Sequence, residues 1–148
     1  MTQTGQELDR IERSTDIDAS AERVWELVSR PGWWINEGTV DPDPEIRREG
    51  DLDVVTHEKF GEFRLQTVES DPPRYVAFRW IEQDSDAGTL VEFWIEDREG
   101  GVTLRVLESG FTELGKDHDA VVKHVEGNTQ GWEAELEAAR RFVTAGSA

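Results

Sequence analysis

From Leu52 onward the chain alternates apolar and polar residues with a period of two. Leu52, Val54 and Thr56 share one face, and so do Phe63, Leu65 and Thr67. The same alternation places Val76, Phe78 and Trp80 together, then Val91, Phe93 and Ile95, then Val102, Leu104, Val106 and Glu108. Successive side chains of a strand point to opposite faces, so each run predicts a strand with one buried side. Turn signals separate them at Lys59–Gly61, Asp71-Pro72-Pro73, Asp84–Gly88 and Asp97–Gly101. The expectation is an antiparallel meander of about five strands. Val68 interrupts the alternation of its run and predicts a bulge there.

Ahead of the meander, Ile11, Thr15 and Ile17 share a face with Arg13, while Glu12, Ser14, Asp16 and Asp18 occupy the other, which predicts a half-buried first strand. Ser20 is a natural N-cap for a helix whose Ala21, Val24, Trp25 and Val28 form one apolar stripe. Pro31 ends that helix, because the residue before a proline avoids helical geometry. A second short helix is expected over Pro31–Gly38, and the prolines and charges of TVDPDPEIRREG, residues 39–50, read as a solvated loop.

After the meander the period changes. Val121, Val125, Trp132, Leu136, Ala139 and Val143 are spaced 4, 7, 4, 3 and 4 apart and fall on one face of a helix running from about Asp117 to Thr144. Asp117 and Asp119 suit its start, Arg140 and Arg141 its last turn, and Gly146 a stop. Glu137 is placed to pair with Arg141. Gly127 and Gly131 each weaken the helix by about 1 kcal/mol relative to Ala, and mark either a local break or a close approach of strand or ligand to the backbone. Asn128 fills the missing beat of the stripe. A buried amide without a partner costs about 1 to 3 kcal/mol, so Asn128 either bonds to the sheet or faces a cavity.

Strand, short helices, antiparallel strands and a long helix, in that order, predict an α+β domain whose curved sheet is covered on its concave face by the last helix. Residues 1–10 are polar and expected to be disordered, leaving 11–145 as one domain. No apolar run is long enough to span a bilayer and the start is too polar for a signal peptide, so the protein is expected in the cytoplasm. The absence of cysteine excludes disulfides and thiol chemistry. A formal charge of −17, from 33 acidic and 16 basic residues, opposes nucleic acid and anionic membranes as partners.

Four segments together resemble a known family: IDASAERVWELV, SDPPRYVAFRW, VTLRVLESGF and EGNTQGWEAEL. They are similar to the SRPBCC superfamily, also called START-like or polyketide-cyclase-like. Within it they most resemble the C-terminal domain of the activator of the heat-shock-protein-ninety ATPase. The likeness spans roughly Ile11 to Val143. It implies a helix-grip fold with a hydrophobic cavity between the sheet and the last helix. Lipid carriers, cyclases and co-chaperones all occur in the superfamily, so the resemblance leaves function open.

The candidate chemistry is sparse. Glu108 shares the face of Val102, Leu104 and Val106, so it either points under the helix, where burial would raise its pKa, or ends its strand in solvent or beside an arginine. His124 lies one turn before Asn128 and is either a solvated side chain or a second polar contact for a ligand. Trp25, Trp33, Trp34, Phe78, Trp80, Phe93 and Trp132 are candidates for core or for cavity lining, and the adjacent Trp33 and Trp34 suggest that at least one borders a pocket. Trp94 is expected on the outer face, in reach of a dimer interface. His57, His118 and His124 lack metal-ligand spacing, and no nucleophile elbow, phosphate loop or dinucleotide fingerprint occurs, so no metal or cofactor is expected.

The leading expectation is a protein that binds a small hydrophobic or aromatic molecule, with Trp25, Trp33, Trp34, Phe78, Trp80, Phe93, Glu108, Asn128 and Trp132 as ligand contacts. One alternative is a cyclase, dehydratase or hydrolase using Glu108 and His124 as an acid/base pair. Another is a co-chaperone-like module, monomer or homodimer, binding a ninety-kilodalton chaperone through its acidic surface or the Trp33 and Trp34 region.

Overall fold

A computed structural model describes residues 10–83 and 87–145. The first strand, β1 (Arg10–Ile17), leads into α1 (Ala21–Val28). Then come β2 (Glu45–Glu49), β3 (Leu52–His57), β4 (Gly61–Asp71), β5 (Tyr75–Ile81), β6 (Gly88–Arg98) and β7 (Gly101–Ser109). A short 3-10 helix (Phe111–Leu114) precedes the long α2 (His118–Ala145). The strands form one curved antiparallel sheet in the order β1-β7-β6-β5-β4-β3-β2. The first strand closes against the last because Ile11 and Ile17 stand opposite Glu108 and Val102.

The expected meander is present, with its bulge: the β4–β5 register shifts between Thr67 and Glu69, leaving Val68 outward. Two sequence expectations are corrected. Residues 39–50 are not wholly loop, since β2 pairs with β3 from Glu45↔Thr56 to Glu49↔Leu52. Only Ile46 of β2 is partly buried, so this edge strand shows no apolar alternation; Gly50, at φ +64°, supplies the first position of a two-residue hairpin turn. The second short helix over Pro31–Gly38 is also absent. Its residues form turns, with Ile35 N–H bonded to the Gly32 carbonyl at 2.9 Å, because Gly32 and Gly38 adopt positive φ and interrupt any helix.

Ser20 caps α1, its Oγ accepting the Arg23 N–H at 3.2 Å. Asp117 caps α2 through Oδ1 and the Ala120 N–H at 2.9 Å. That helix is unbroken across Gly127 and Gly131, and a methyl at either would meet nothing within 4 Å. Both glycines face solvent, so neither a break nor a close approach explains them. Glu137 pairs with Arg140, not Arg141, whose guanidinium instead donates to the Gly38 carbonyl at 3.2 Å. Because α2 continues to Ala145, both arginines stand before its last turn; Gly146 lies outside the described residues.

The core forms where the inward residues of the sheet meet α1 and α2. Val24, Leu27 and Val28 of α1 and Trp132, Leu136, Ala139 and Val143 of α2 cover Ile17, Phe78, Phe93, Leu104 and Val106. Each such side chain removed from water contributes about 1.5 to 3 kcal/mol. At the centre Trp34 lies 5.5 to 5.6 Å, ring to ring, from Phe78, Trp80, Phe93 and Trp132. Trp33 joins it edge-on at 6.0 Å. Trp94 is on the outer face as expected, with the Arg105 guanidinium 4.3 Å above its ring and Tyr75 at 5.3 Å.

Candidate functional site

The alternation of β7 decides where Glu108 goes. Val102, Leu104, Val106 and Glu108 all point toward α2, and Glu108 has no solvent-accessible surface. The solvated strand-end reading is therefore overturned. Three donors from other elements meet the carboxyl. Trp132 Nε1 donates to Oε1 at 2.8 Å, Asn128 Nδ2 to the same oxygen at 3.0 Å, and Thr89 Oγ1 to Oε2 at 2.5 Å. Burial pushes the Glu108 pKa above the ordinary carboxylate value, and the three hydrogen bonds, led by Thr89, oppose that rise.

Asn128 thus has a hydrogen bond to the sheet, and it stands in the apolar stripe because its amide completes the shell of a buried acid. Trp132 does the same with its indole N–H. A tryptophan and an asparagine one turn apart on α2 are thereby tied to the end of β7.

Beside this cluster lies a cavity of about 470 Å³. Phe63 of β4, Trp80 and Ile81 of β5 and Leu114 of the 3-10 helix supply its apolar walls. Its polar lining comes from Thr89 and Glu108, from His124, and from Glu82, Gln83 and Lys116. Glu108 borders the space without accessible surface, so it forms part of the floor behind Thr89 and does not project into the cavity. Toward solvent, the partly exposed Lys116 and Glu82 form an ion pair at 2.8 Å. Lys116 Nζ also lies 3.2 Å from His124 Nδ1. The His124 pKa is lowered by burial first and by the Lys116 charge second, with Glu82 acting the other way.

The structure sorts the sequence candidates into two groups. Trp80, Glu108 and His124 border the cavity. Trp33, Trp34, Phe78, Phe93 and Trp132, all under 5% exposed, pack on one another in the core, and the half-buried Trp25 packs against that core from α1. The suggestion that Trp33 or Trp34 borders a pocket is corrected accordingly: neither is among the residues lining this cavity, because the turns at 31–38 fold both rings inward.

Thr89 and Phe63 were missed as lining residues although their strands signal them. Thr89 has the parity of Val91 and Phe93, and Phe63 that of Leu65. Lys116, Glu82 and Gln83 lie outside the regular elements and carry no such signal. Glu135 was also missed. It is 9% exposed on α2, and burial lifts its pKa to about 7 against an opposing hydrogen bond from Asn36. Among the described residues no group of three His, Asp or Glu side chains is placed to hold a metal ion, and no helix is long and apolar enough to cross a membrane.

The sequence profile of the family described as Activator of Hsp90 ATPase homolog 1-like protein matches residues 18–140. The chain belongs to this family. The Activator of Hsp90 ATPase homolog 1-like domain is part of the SRPBCC superfamily. Solved structures agree on the fold. Protein MLL2253 from Mesorhizobium loti superposes with a TM-score of 0.69 at 17% identity, over 92% of this chain and 97% of that one. The Aha1 dimer from Colwellia psychrerythraea gives 0.64 at 17% identity, over 90% and 95%. CalU16 from Micromonospora echinospora gives 0.59 at 19% identity, over 90% and 73%. At such identities the likeness is one of helix-grip architecture. A comparison with curated proteins gives no match.

Proposed function

We propose that this Activator of Hsp90 ATPase homolog 1-like domain binds a small, largely apolar molecule in the cavity between the sheet and the 3-10 helix and α2. The observation that carries this reading is the cavity itself: about 470 Å³ beside the aromatic core, with apolar walls from Phe63, Trp80, Ile81 and Leu114 and a polar side from Thr89, His124, Lys116, Glu82 and Gln83. Ligand pockets typically hold about 300 to 1,000 Å³ and use a few placed polar groups to orient a mostly apolar guest. Burial against Trp80, Phe63, Ile81 and Leu114 would supply affinity at about 25 cal/mol per Å².

The test is NMR shift perturbation with naphthalene, indole and decanoate. Displacement of the Trp80 indole, Thr89 and His124 signals is expected for at least one of them. If all three leave those signals in place while the protein stays folded, the reading is wrong.

Two other readings draw less support. An acid/base role for Glu108 with His124 needs a carboxyl that meets substrate, and Glu108 has three hydrogen-bond donors and no accessible surface. A chaperone-binding role through Trp33 and Trp34 needs exposed rings, and these are 3% and 4% exposed. The family description still makes the ATPase rate of a ninety-kilodalton chaperone, with and without this protein, a direct check; an unchanged rate removes that role.

A further inference from the structure

Lys116 holds two groups at once. Its Nζ is 2.8 Å from a Glu82 carboxylate oxygen and 3.2 Å from His124 Nδ1. A lysine ammonium has three hydrogens to donate and no lone pair to accept with. Nδ1 must therefore supply the lone pair, and the proton of neutral His124 sits on Nε2. An imidazolium would turn an N–H against the ammonium, so the charged ring is disfavoured by burial and by Lys116 together, with only Glu82 favouring it. Phe111 stands perpendicular to the ring with centroids 5.0 Å apart and holds its orientation. Among the described residues Nε2 has no hydrogen-bond partner, although the ring borders the cavity.

The site read above as a ligand cavity therefore offers an unused N–H donor of fixed tautomer. We propose, resting on that reading, that the cavity selects neutral aryl ketones and related conjugated carbonyl compounds, whose oxygen accepts from His124 Nε2–H while Lys116 acts as the positioning residue that fixes the tautomer. An amine would bring a donor to the Nε2–H donor beside an ammonium, and of the two lining carboxylates Glu82 is held by Lys116 and Glu108 by three donors. A carboxylate would bring a full charge beside Phe63, Trp80, Ile81 and Leu114, and Lys116 of the cavity lining is already paired with Glu82. A conjugated carbonyl combines a strong acceptor with a flat apolar body suited to Trp80 and Phe63.

The experiment uses the full chain and four probes of one shape: 2-acetylnaphthalene, 2-ethylnaphthalene, 2-naphthoate and 2-naphthylmethylammonium. The ketone should bind about tenfold more tightly than the ethyl compound, the worth of one hydrogen bond. Naphthoate and the ammonium compound should bind more weakly than either. Imidazole ¹⁵N spectra of the unliganded protein at pH 8 should show neutral His124 protonated on Nε2, with that signal moving when the ketone is added. Lys116→Met should mix the two tautomers and lower the preference for the ketone over 2-ethylnaphthalene several-fold, whatever it does to the affinity of both.

Equal binding of ketone and ethyl compound, or protonation of His124 on Nδ1, overturns the inference and leaves the ligand cavity standing. Failure of every probe to bind overturns both. The tautomer measurement needs no variant, so a misfolded Lys116→Met would not spare the idea.

Discussion

Trp132 Nε1 donates to Glu108 Oε1 at 2.8 Å, joining the middle of α2 to the end of β7 by a hydrogen bond closed to water. The indole N–H can only donate, so it bonds to the carboxyl whether or not the latter carries its proton. Trp132→Phe keeps an aromatic ring in the core but removes that donor and part of the indole's volume. A loss of at least about 1 to 3 kcal/mol is expected in urea denaturation at pH 7. Glu108→Gln keeps an acceptor for Trp132 and Asn128 and offers Thr89 a donor, so it should cost under about 1 kcal/mol. Glu108→Leu strands three donors and should cost more than either.

Stability should depend on pH through Glu135 in a direction opposite to that of most acids. Burial lifts its folded-state pKa to about 7, above the ordinary carboxylate value. The protonated form is favoured by the fold, so its contribution is full below about pH 4.5 and is lost as pH rises through 7. Glu135→Gln should therefore gain on the natural protein between pH 5 and 8, by about 2 kcal/mol allowing for the group's residual solvent contact. Parallel urea curves for the two proteins at both pH values would show it; an unchanged difference would rule it out.

Gly127 and Gly131 sit on the solvent face of a continuous helix with open space where a methyl would go. Each Gly→Ala change should stabilise by about 0.5 to 1 kcal/mol. Thermal unfolding measures this. A loss on substitution would mean that the helix is interrupted in solution.

Gly32 behaves in the opposite way. It adopts φ +70°, and an added Cβ would lie 2.9 Å from Val55 Cγ2. Gly32→Ala should cost at least about 1 kcal/mol, from left-handed strain plus the clash. Because this turn seats Trp33 and Trp34, near-ultraviolet circular dichroism should change along with the denaturation midpoint.

The legible parts of the sequence were those where burial imposes a period. Strands β3 to β7, the first strand, the capped α1 and the stripe of α2 all bury one face, so their apolar residues recur at two or near 3.6. Strand β2 escaped because an edge strand with one half-buried residue has no face to mark it. The turns at 31–38 read as helix in the sequence because Trp33, Trp34 and Ile35 give an apolar cluster, while the backbone obeys Gly32 and Gly38.

Parity along β7 groups Glu108 with Val102, Leu104 and Val106 without deciding between burial and a solvated strand end, and the gap in the α2 stripe singles out Asn128. Their meeting, with Trp132 and Thr89, required β6, β7 and α2 to converge. The same holds for the cavity. Glu82 lies far along the chain from Lys116 and His124, and only the way the 3-10 helix seats against β6 and α2 brings the three to one rim. Periodicity records which side of an element avoids water, a local property. Distances between side chains of different elements depend on sheet curvature and helix placement, so the tertiary structure alone decided which aromatic rings fill the core and which border the space beside it.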